Sequence, residues 1–296
     1  MKHLFHVLSL FLGLQAIQAQ DVYKPLENGL LWKIEGKELK KASYLFGTIH
    51  LIPATEFFLP KNLEKSLQET QKVFMEVDID GMNDMGNLMS VGDKLFMQND
   101  TSLVDLISPE EYKQLDTFFN NLGIPLNFFE RLKPMFLSVL VGSQGNPFGL
   151  QDGSLKSYEF ELAELAKKYH IETDGLESLD FQISIFDNIP YGVQAKMLMA
   201  SFKSAQADEQ VMQEMYQKYK SQNLEALGET ITKEDEPLSD HLDLLLYKRN
   251  LNWIPKMETE MQKASCFFAV GAGHLAGERG VIHLLRKAGY RVERVN

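Results

Sequence analysis

The sequence predicts an α+β fold whose central mixed β-sheet is built from strands at both ends of the chain. Two observations predict it. Short apolar or alternating runs, which are typical of strands, occur at residues 30–35, 42–46, 73–78, 266–270 and 290–295. From about residue 84 to residue 262, apolar positions recur at helical spacing instead. We therefore expect the terminal strands to pair with each other, with the helical middle as a large insertion that covers the sheet.

A hairpin begins the predicted sheet. Residues 30–35 alternate and end at Gly36, and residues 42–46 form the returning strand. After a proline, residues 61–71 have the spacing of an amphipathic helix. Residues 73–78 then form the next strand. This order of strand, helix and strand predicts a βαβ unit.

Helix signals continue through the middle of the chain. Ser108 is a helix cap, with acidic residues in the turn that follows. Residues 128–141 predict a buried helix that is kinked or divided at Pro134. Residues 154–169 predict an amphipathic helix, and residues 171–176 a short strand.

The last third is predicted to return to the sheet. Residues 188–190 separate two helices, and the acidic residues 234–236 form a solvated linker. A long helix follows over residues 239–262, with a kink expected at Pro255. After the strand at 266–270, residues 280–288 form a helix that leads to the final strand.

The composition is that of a globular protein. The chain has 296 residues, of which 44% are hydrophobic and 24% charged. Its net charge of −11 argues against nucleic acid as a partner, because phosphate binding needs a surplus of Lys and Arg. The single cysteine, Cys266, lies in an apolar run and is expected to be a small buried hydrophobe.

The first 19 residues have the layout of a secretory signal peptide. A positive start at Lys2 precedes an apolar run, and small Ala19 ends the segment. The alternative is an anchor that stays attached. We expect cleavage near Ala19, which leaves residues 20–296 as one exported domain, periplasmic or secreted. No later stretch reaches 18 apolar residues, so no integral membrane segment is expected in the mature chain.

Two matching motifs stand 224 positions apart. Gly47 and His50 follow one apolar run, and Gly271 and His274 follow another, each with the spelling G-x-x-H-L. An apolar run that breaks at glycine predicts a buried strand ending in a tight turn. Each histidine would then stand at a strand's exit. The alternative for each is a core histidine bound to a backbone carbonyl.

Glu76 is the third residue of interest, because it lies inside the predicted strand of residues 73–78, whose apolar neighbours favour burial. A buried carboxylate must be paired, protonated or bound to a metal. The alternative is that Glu76 points to solvent from an edge strand. With His50 and His274 it forms a set suited to a divalent metal, which lowers the pKa of bound water and polarises a carbonyl for hydrolysis. Arg249, on a well-packed helix, could meet an anionic intermediate.

Two other functions stay open. The chain could be a non-catalytic binder of haem, peptide or glycan, with the histidines as ligands or structural residues. It could also be a metal-free, esterase-like hydrolase in which His50 and Glu76 act as acid and base.

These residues together resemble the TraB/GumN family, to which the animal Tiki proteases belong. The resemblance runs in the family's order over nearly the whole mature chain. It rests on the residues 31–34, 45–50, Glu76, 133–134, 176–177, 249–250 and 270–277.

The resemblance implies an α+β fold related to erythromycin-esterase-like and ChaN-like proteins. It implies an active site of two G-x-x-H histidines and a strand glutamate, which match His50, His274 and Glu76, with Arg249 close by. It also implies a metal-dependent protease that uses manganese or cobalt. We therefore expect a hydrolase of peptides or other small substrates with a manganese, cobalt or zinc ion, held by His50, Glu76 and His274. Met135 departs from the aromatic residue that many relatives carry after the proline.

Overall fold

A six-stranded mixed sheet forms the centre of the molecule in a computed structural model, which describes residues 23–79, 91–142, 149–207, 209–233 and 239–296. Its strands are β1 (Leu31–Glu35), β2 (Ser43–Thr48), β4 (Lys72–Met75), β6 (Glu172–Gly175), β7 (Cys266–Gly271) and β8 (Arg291–Arg294). The spatial order is β6-β4-β7-β2-β1-β8. Strands β6, β4, β7 and β2 run parallel to one another, while β1 is antiparallel to β2 and to β8. The predicted α+β fold with paired terminal strands is confirmed.

Strand β7 lies between β2 and β4 and pairs with both. Leu45 pairs with Phe268 on one side, and Phe74 pairs with Phe268 on the other. The Phe74 and Phe268 rings stack, with their centroids 5.4 Å apart. The predicted βαβ unit is therefore present, but its two strands are not neighbours, because the C-terminal strand completes the sheet between them.

Eleven α-helices are present in the described residues. They are α1 (Leu63–Gln68), α2 (Pro109–Asn121), α3 (Pro134–Gly142), α4 (Gly149–Asp152), α5 (Tyr158–Lys168), α6 (Leu179–Ile185), α7 (Tyr191–Ala207), α8 (Glu209–Lys220), α9 (Leu224–Lys233), α10 (Lys248–Lys263) and α11 (Val281–Lys287). A π-helical turn, Asp243–Tyr247, runs directly into α10. A second, two-stranded sheet joins β3 (Ile52–Pro53) to β5 (Leu155–Lys156).

Several boundaries differ from the prediction. Residues 128–133 are not α-helical, because Pro134 begins α3 instead of kinking a longer helix. Proline is favoured at the start of a helix, since the N–H that it lacks has no intrahelical partner there. Residues 154–156 are not helical either. Leu155 pairs in β5, and Ser157 then caps α5 by accepting from the N–H of Phe160. Pro255 lies within a continuous α10.

Apolar residues of the sheet form the main core. The strands bury Phe46, Phe74 and Phe267 completely, and helices α5, α10 and α11 add residues to the same cluster. A second core lies among the middle helices and includes Phe119 and Leu198. Cys266 is buried at the start of β7, as predicted. Residues 1–19, the start of the predicted helical middle at 84–90, and the linker 234–236 lie outside the described residues.

Candidate active site

Strands β2, β7 and β4 end at the same edge of the sheet, because they run parallel. His50 lies two residues after β2, His274 three residues after β7, and Glu76 directly after β4. Glu177 follows β6 at the same edge. Ligand sites of parallel sheets are found beyond the carboxyl ends of the strands. Glu76 is thus at a strand exit rather than inside a strand, and it is buried on a central strand, so the edge-strand alternative is wrong.

The two motif glycines allow close packing rather than an unusual backbone. Neither Gly47 nor Gly271 has a positive φ. A Cβ on Gly47 would lie 3.1–3.3 Å from Leu275 and Ala272, which belong to the second motif. A Cβ on Gly271 would lie 3.3 Å from Oε1 of Glu76. The absence of a side chain at Gly47 therefore lets the second motif pack closely against β2. The absence of a side chain at Gly271 leaves room for the Glu76 carboxylate.

Glu76 is fully enclosed by donors. Its Oε1 accepts the backbone N–H of Gly271 at 2.9 Å, and its Oε2 accepts from Arg249 and, at 3.3 Å, from Gln182. Burial alone would raise the pKa of Glu76, but the positive charges of Arg249 and His50 and the hydrogen bond from the Gly271 N–H lower it by more. The pKa of Glu76 is consequently held below its usual range, and the side chain is a carboxylate.

Arg249 uses all five of its N–H groups inside the protein. Its Nε donates to Glu177 at 3.0 Å, and its Nη2 donates to Glu76 and Glu177. Its Nη1 donates to the Leu245 carbonyl at 3.0 Å and lies 3.3 Å from Nε2 of His274. Burial opposes the charge on Arg249, but the two carboxylates outweigh it and raise the pKa. An anionic intermediate could gain a hydrogen bond from Arg249 only in exchange for one of these contacts.

His274 has a defined tautomer. Asn250 donates its Nδ2 to the carbonyls of Arg279 at 2.9 Å and His274 at 3.3 Å, so its Oδ1 faces Nδ1 of His274 at 2.6 Å. The oxygen can only accept, which places the proton on Nδ1 and leaves a lone pair on Nε2. Burial lowers the pKa of His274 to about 3, so the ring is neutral. Trp253 packs on it with ring centroids 4.5 Å apart.

His50 is held differently, at the open side of the site. Its side chain is 70% exposed, and its Nδ1 lies 3.0 Å from Oε1 of Glu159 on α5. The hydrogen bond to Glu159 raises the pKa of His50 to about 9. The two motif histidines therefore differ in protonation near neutral pH, although their sequences match.

All four predicted residues line one cavity of about 530 Å³. His50, Glu76, Arg249 and His274 form its polar side. Most of the remaining wall is apolar and comes from the helical middle and the π-helical turn. It includes Phe136, Ile185, Phe186, Leu227, Leu245 and Leu246. The volume falls within the range of roughly 300–1,000 Å³ that is usual for ligand pockets.

The donor types suit a divalent metal, but their arrangement does not. Across the described parts of the chain, no group of three or more His, Cys, Asp or Glu side chains is placed so that it could hold a metal ion. The Arg249 guanidinium contacts both Glu76 and His274, and both oxygens of Glu76 already accept hydrogen bonds. The metal-ligand roles of His50, Glu76 and His274 therefore stay predictions.

Sequence reasoning missed four residues of the site. Glu159, Glu177, Asn250 and Trp253 were assigned no role, although Glu177 and Asn250 lie in segments that resemble the family. Glu159 carries no distinguishing signal, because it is one of several acidic residues in an amphipathic helix. The pairing of Glu177 with Arg249 depends on the meeting of β6 and α10, which sequence spacing alone does not reveal.

The comparison with protein families identifies the class of protein. Residues 30–294 match the model of the TraB/PrgY/gumN family. The match covers nearly the whole chain, so this chain belongs to that family.

Among curated proteins, the chain is similar to metalloproteases of animals. It is 22% identical to Metalloprotease TIKI1 of Danio rerio over 90% of this chain and 63% of that protein. It is also 22% identical to Metalloprotease TIKI2 of Xenopus tropicalis, over 90% of this chain and 60% of that protein. The chain thus spans less than two thirds of the length of these relatives. No solved structure matched significantly. None of the described helices combines the length and the apolar character that a membrane span requires.

Proposed function

We propose that this protein is an exported hydrolase that cleaves peptides in the cavity at the carboxyl edge of its sheet. One observation carries the proposal: four polar side chains from distant parts of the sequence, His50, Glu76, Arg249 and His274, meet at one cavity. Three of them are nine-tenths buried or more. Family membership and the metalloprotease names of the relatives support hydrolysis of peptides.

The two histidines supply complementary proton transfers in this proposal. His274 holds its Nε2 lone pair next to Nη1 of Arg249. When an attacking water replaces that contact, Nε2 can accept the proton of the water. His50, paired with Glu159, carries a proton that it can give to the departing amine. Pairs of titratable groups whose environments separate their pKa values are suited to acid and base roles. Glu76 and Arg249 fix the position of His274 and set the charge around it.

The wall of the cavity supports a preference for large apolar side chains beside the cleaved bond. Leu245, Leu246 and Phe136 offer no hydrogen bonds, and burial of an apolar side chain there gains about 1.5–3 kcal/mol. We propose peptides with such residues as the substrate class.

Metal dependence is a further part of the proposal, supported by the names of the relatives and by the donor types. The Arg249 guanidinium contacts both Glu76 and His274, where an ion that both residues share would have to bind. The proposal therefore assigns the proton transfers from water and to the amine to the two histidines alone. A metal-free reaction is the second candidate, and the filled Arg249 position favours it. Elemental analysis after exchange into manganese, cobalt or zinc distinguishes the two, together with activity in a strong chelator.

Peptide hydrolysis is tested directly by mass spectrometry of a defined peptide mixture in ¹⁸O-water. We expect new carboxyl termini that carry one ¹⁸O atom, and their loss in His274→Ala. The matched control is His170→Asn, because His170 is exposed at φ 55°, a backbone conformation that asparagine tolerates. Intact peptides after incubation with the folded wild type would contradict the proposal.

Export is tested separately. We propose that residues 1–19 direct export and are removed near Ala19. N-terminal sequencing of the protein from fractionated cells should find a new terminus near residue 20 outside the cytoplasm. An intact Met1 on cytoplasmic protein would refute this part alone.

A further inference from the structure

Glu159 has the contacts of a residue that orients another. It lies in the first turn of α5, and its side chain is only 16% exposed. Its Oε1 receives the hydroxyl of Thr48 at 2.7 Å and faces Nδ1 of His50 at 3.0 Å. Its Oε2 receives the hydroxyl of Ser157 at 2.9 Å. Both oxygens of Glu159 are thus held in place: Oε2 by Ser157 at the helix cap, and Oε1 by Thr48 at the end of β2.

These contacts connect α5 to the first motif. Thr48 is the last residue of β2, and His50 follows it by two positions. A carboxylate that binds both holds the imidazole relative to the strand. Because a carboxylate only accepts hydrogen bonds, it binds the Nδ1–H of His50 and leaves Nε2 as the nitrogen available to the cavity.

The exposure of His50 makes such a partner necessary. A mostly exposed histidine with no fixed contact would sample several rotamers, and ordering a side chain has an entropic cost. The buried His274, by contrast, is fixed by Asn250 and Trp253. Each motif histidine therefore has its own Nδ1 acceptor from a helix, namely Glu159 in α5 and Asn250 in α10.

We infer that Glu159 is the positioning residue of the site, which holds His50 through Nδ1 so that Nε2 faces the substrate. This inference rests on the proposed hydrolase function for its kinetic consequence, but its structural part is measurable without substrate. Partners that orient metal-bound histidines typically contribute about 10–100-fold to activity, and we expect an effect of that size for Glu159.

The experiment compares Glu159→Ala, Glu159→Leu and the matched control Glu164→Ala, which changes an exposed acid on the same helix. The first readout is the long-range ¹H–¹⁵N spectrum of the histidine side chains, with His50 assigned from its absence in His50→Gln. In the wild type and in E164A, we expect a slowly exchanging, downfield Nδ1–H resonance of His50. In E159A, we expect that resonance to be lost while the His274 signals stay.

The second readout is peptide cleavage. We expect kcat to fall by about 10–100-fold in E159A, with KM changed by less than about threefold. Glu159→Asp should recover part of kcat, because it restores an acceptor. If E159A does not fold, Glu159→Leu, which keeps a similar side-chain volume without an acceptor oxygen, provides the same comparison.

The outcomes separate this inference from the proposed function. An unchanged His50 resonance in E159A, or an unchanged kcat beside a lost resonance, would overturn the positioning role. A wild type that cleaves no peptide would refute the hydrolase proposal, while the spectra would still decide whether Glu159 holds His50.

Discussion

Asn250 binds His274 at two points. Its Oδ1 accepts from the ring Nδ1 at 2.6 Å, and its Nδ2 donates to the His274 backbone carbonyl at 3.3 Å. One side chain of α10 therefore fixes the second motif's backbone and its imidazole together. Since Arg249 is the preceding residue, two consecutive positions of one helix organise the buried half of the site.

The first prediction concerns this contact. Asn250→Leu removes the acceptor for Nδ1 and leaves a buried ring N–H without a partner, which costs about 1–3 kcal/mol. We expect a lower melting temperature and a loss of peptide cleavage of about 10–100-fold. Asn250→Asp keeps the acceptor and should retain more activity than the leucine variant. Equal activity in the two variants would show that the tautomer of His274 does not matter.

The second prediction separates the two motif glycines. Gly271→Ala places a methyl group 3.3 Å from Oε1 of Glu76 and should reduce cleavage more than stability. Gly47→Ala crowds Leu275 and Ala272 at 3.1–3.3 Å, and overpacking of this kind costs about 1–3 kcal/mol. Gly192→Ala is the control, because its Cβ meets nothing within 4 Å and alanine favours the helix. Thermal melts and cleavage rates of all three variants measure the difference. A G47A protein as stable as G192A would contradict the packing argument.

The third prediction tests the apolar wall. Leu246→Arg introduces a charge beside the polar side of the cavity. We expect at least about tenfold slower cleavage of peptides with Phe or Leu at the cleaved bond, and a relative gain for peptides with Asp or Glu there. Leu251→Arg, at a residue of α10 that is 54% exposed, should leave the preference as in the wild type. Mass spectrometry of a peptide series measures both, and an unchanged preference in L246R would place the substrate elsewhere.

The fourth prediction concerns Cys266. Burial raises the pKa of its thiol to about 12, and the thiolate is the reactive form. At pH 8 a buried thiol with this pKa is ionised in roughly one molecule in 10⁴. Ellman's reagent should therefore leave the folded protein unlabelled and react with one thiol after denaturation. In Leu251→Cys, one thiol should react at once in the folded state. Rapid labelling of the folded wild type would contradict the buried position.

The sequence predicts a large part of this fold, because the relevant signals are local. Apolar runs and glycines locate the strands that precede His50 and His274, and the pairing of β1 with β8 follows from the need to bury terminal strands. The predicted ends of helices were less accurate where one residue is compatible with two local structures. Pro134 begins a helix as readily as it kinks one, and Leu155 suits a bridge as well as a helix.

The remainder of the site depends on contacts between distant elements. Glu159 looks like any acidic residue of an amphipathic helix until α5 meets the end of β2. The role of Arg249 toward an anionic intermediate stays a prediction, but the sequence did not indicate that its N–H groups bind Glu76, Glu177 and the Leu245 carbonyl. The number of hydrogen bonds that a charged group makes inside the protein depends on tertiary packing. The spacing of residues in the sequence does not predict it.

The place of β7 between β2 and β4 has a consequence for biosynthesis. A ribosome delivers β2 and β4 early, but the strand that joins them, which begins at Cys266, is made long after β4 ends at Met75. Until then, β2 and β4 each lack the partner strand that β7 provides. His274, which follows β7, is also missing from the site of His50 and Glu76. A nascent chain that still lacks β7 can therefore hold no assembled candidate site, and contacts so distant in sequence form slowly. The proposed site can form only after β7 has been made, so the order of the strands itself delays its assembly.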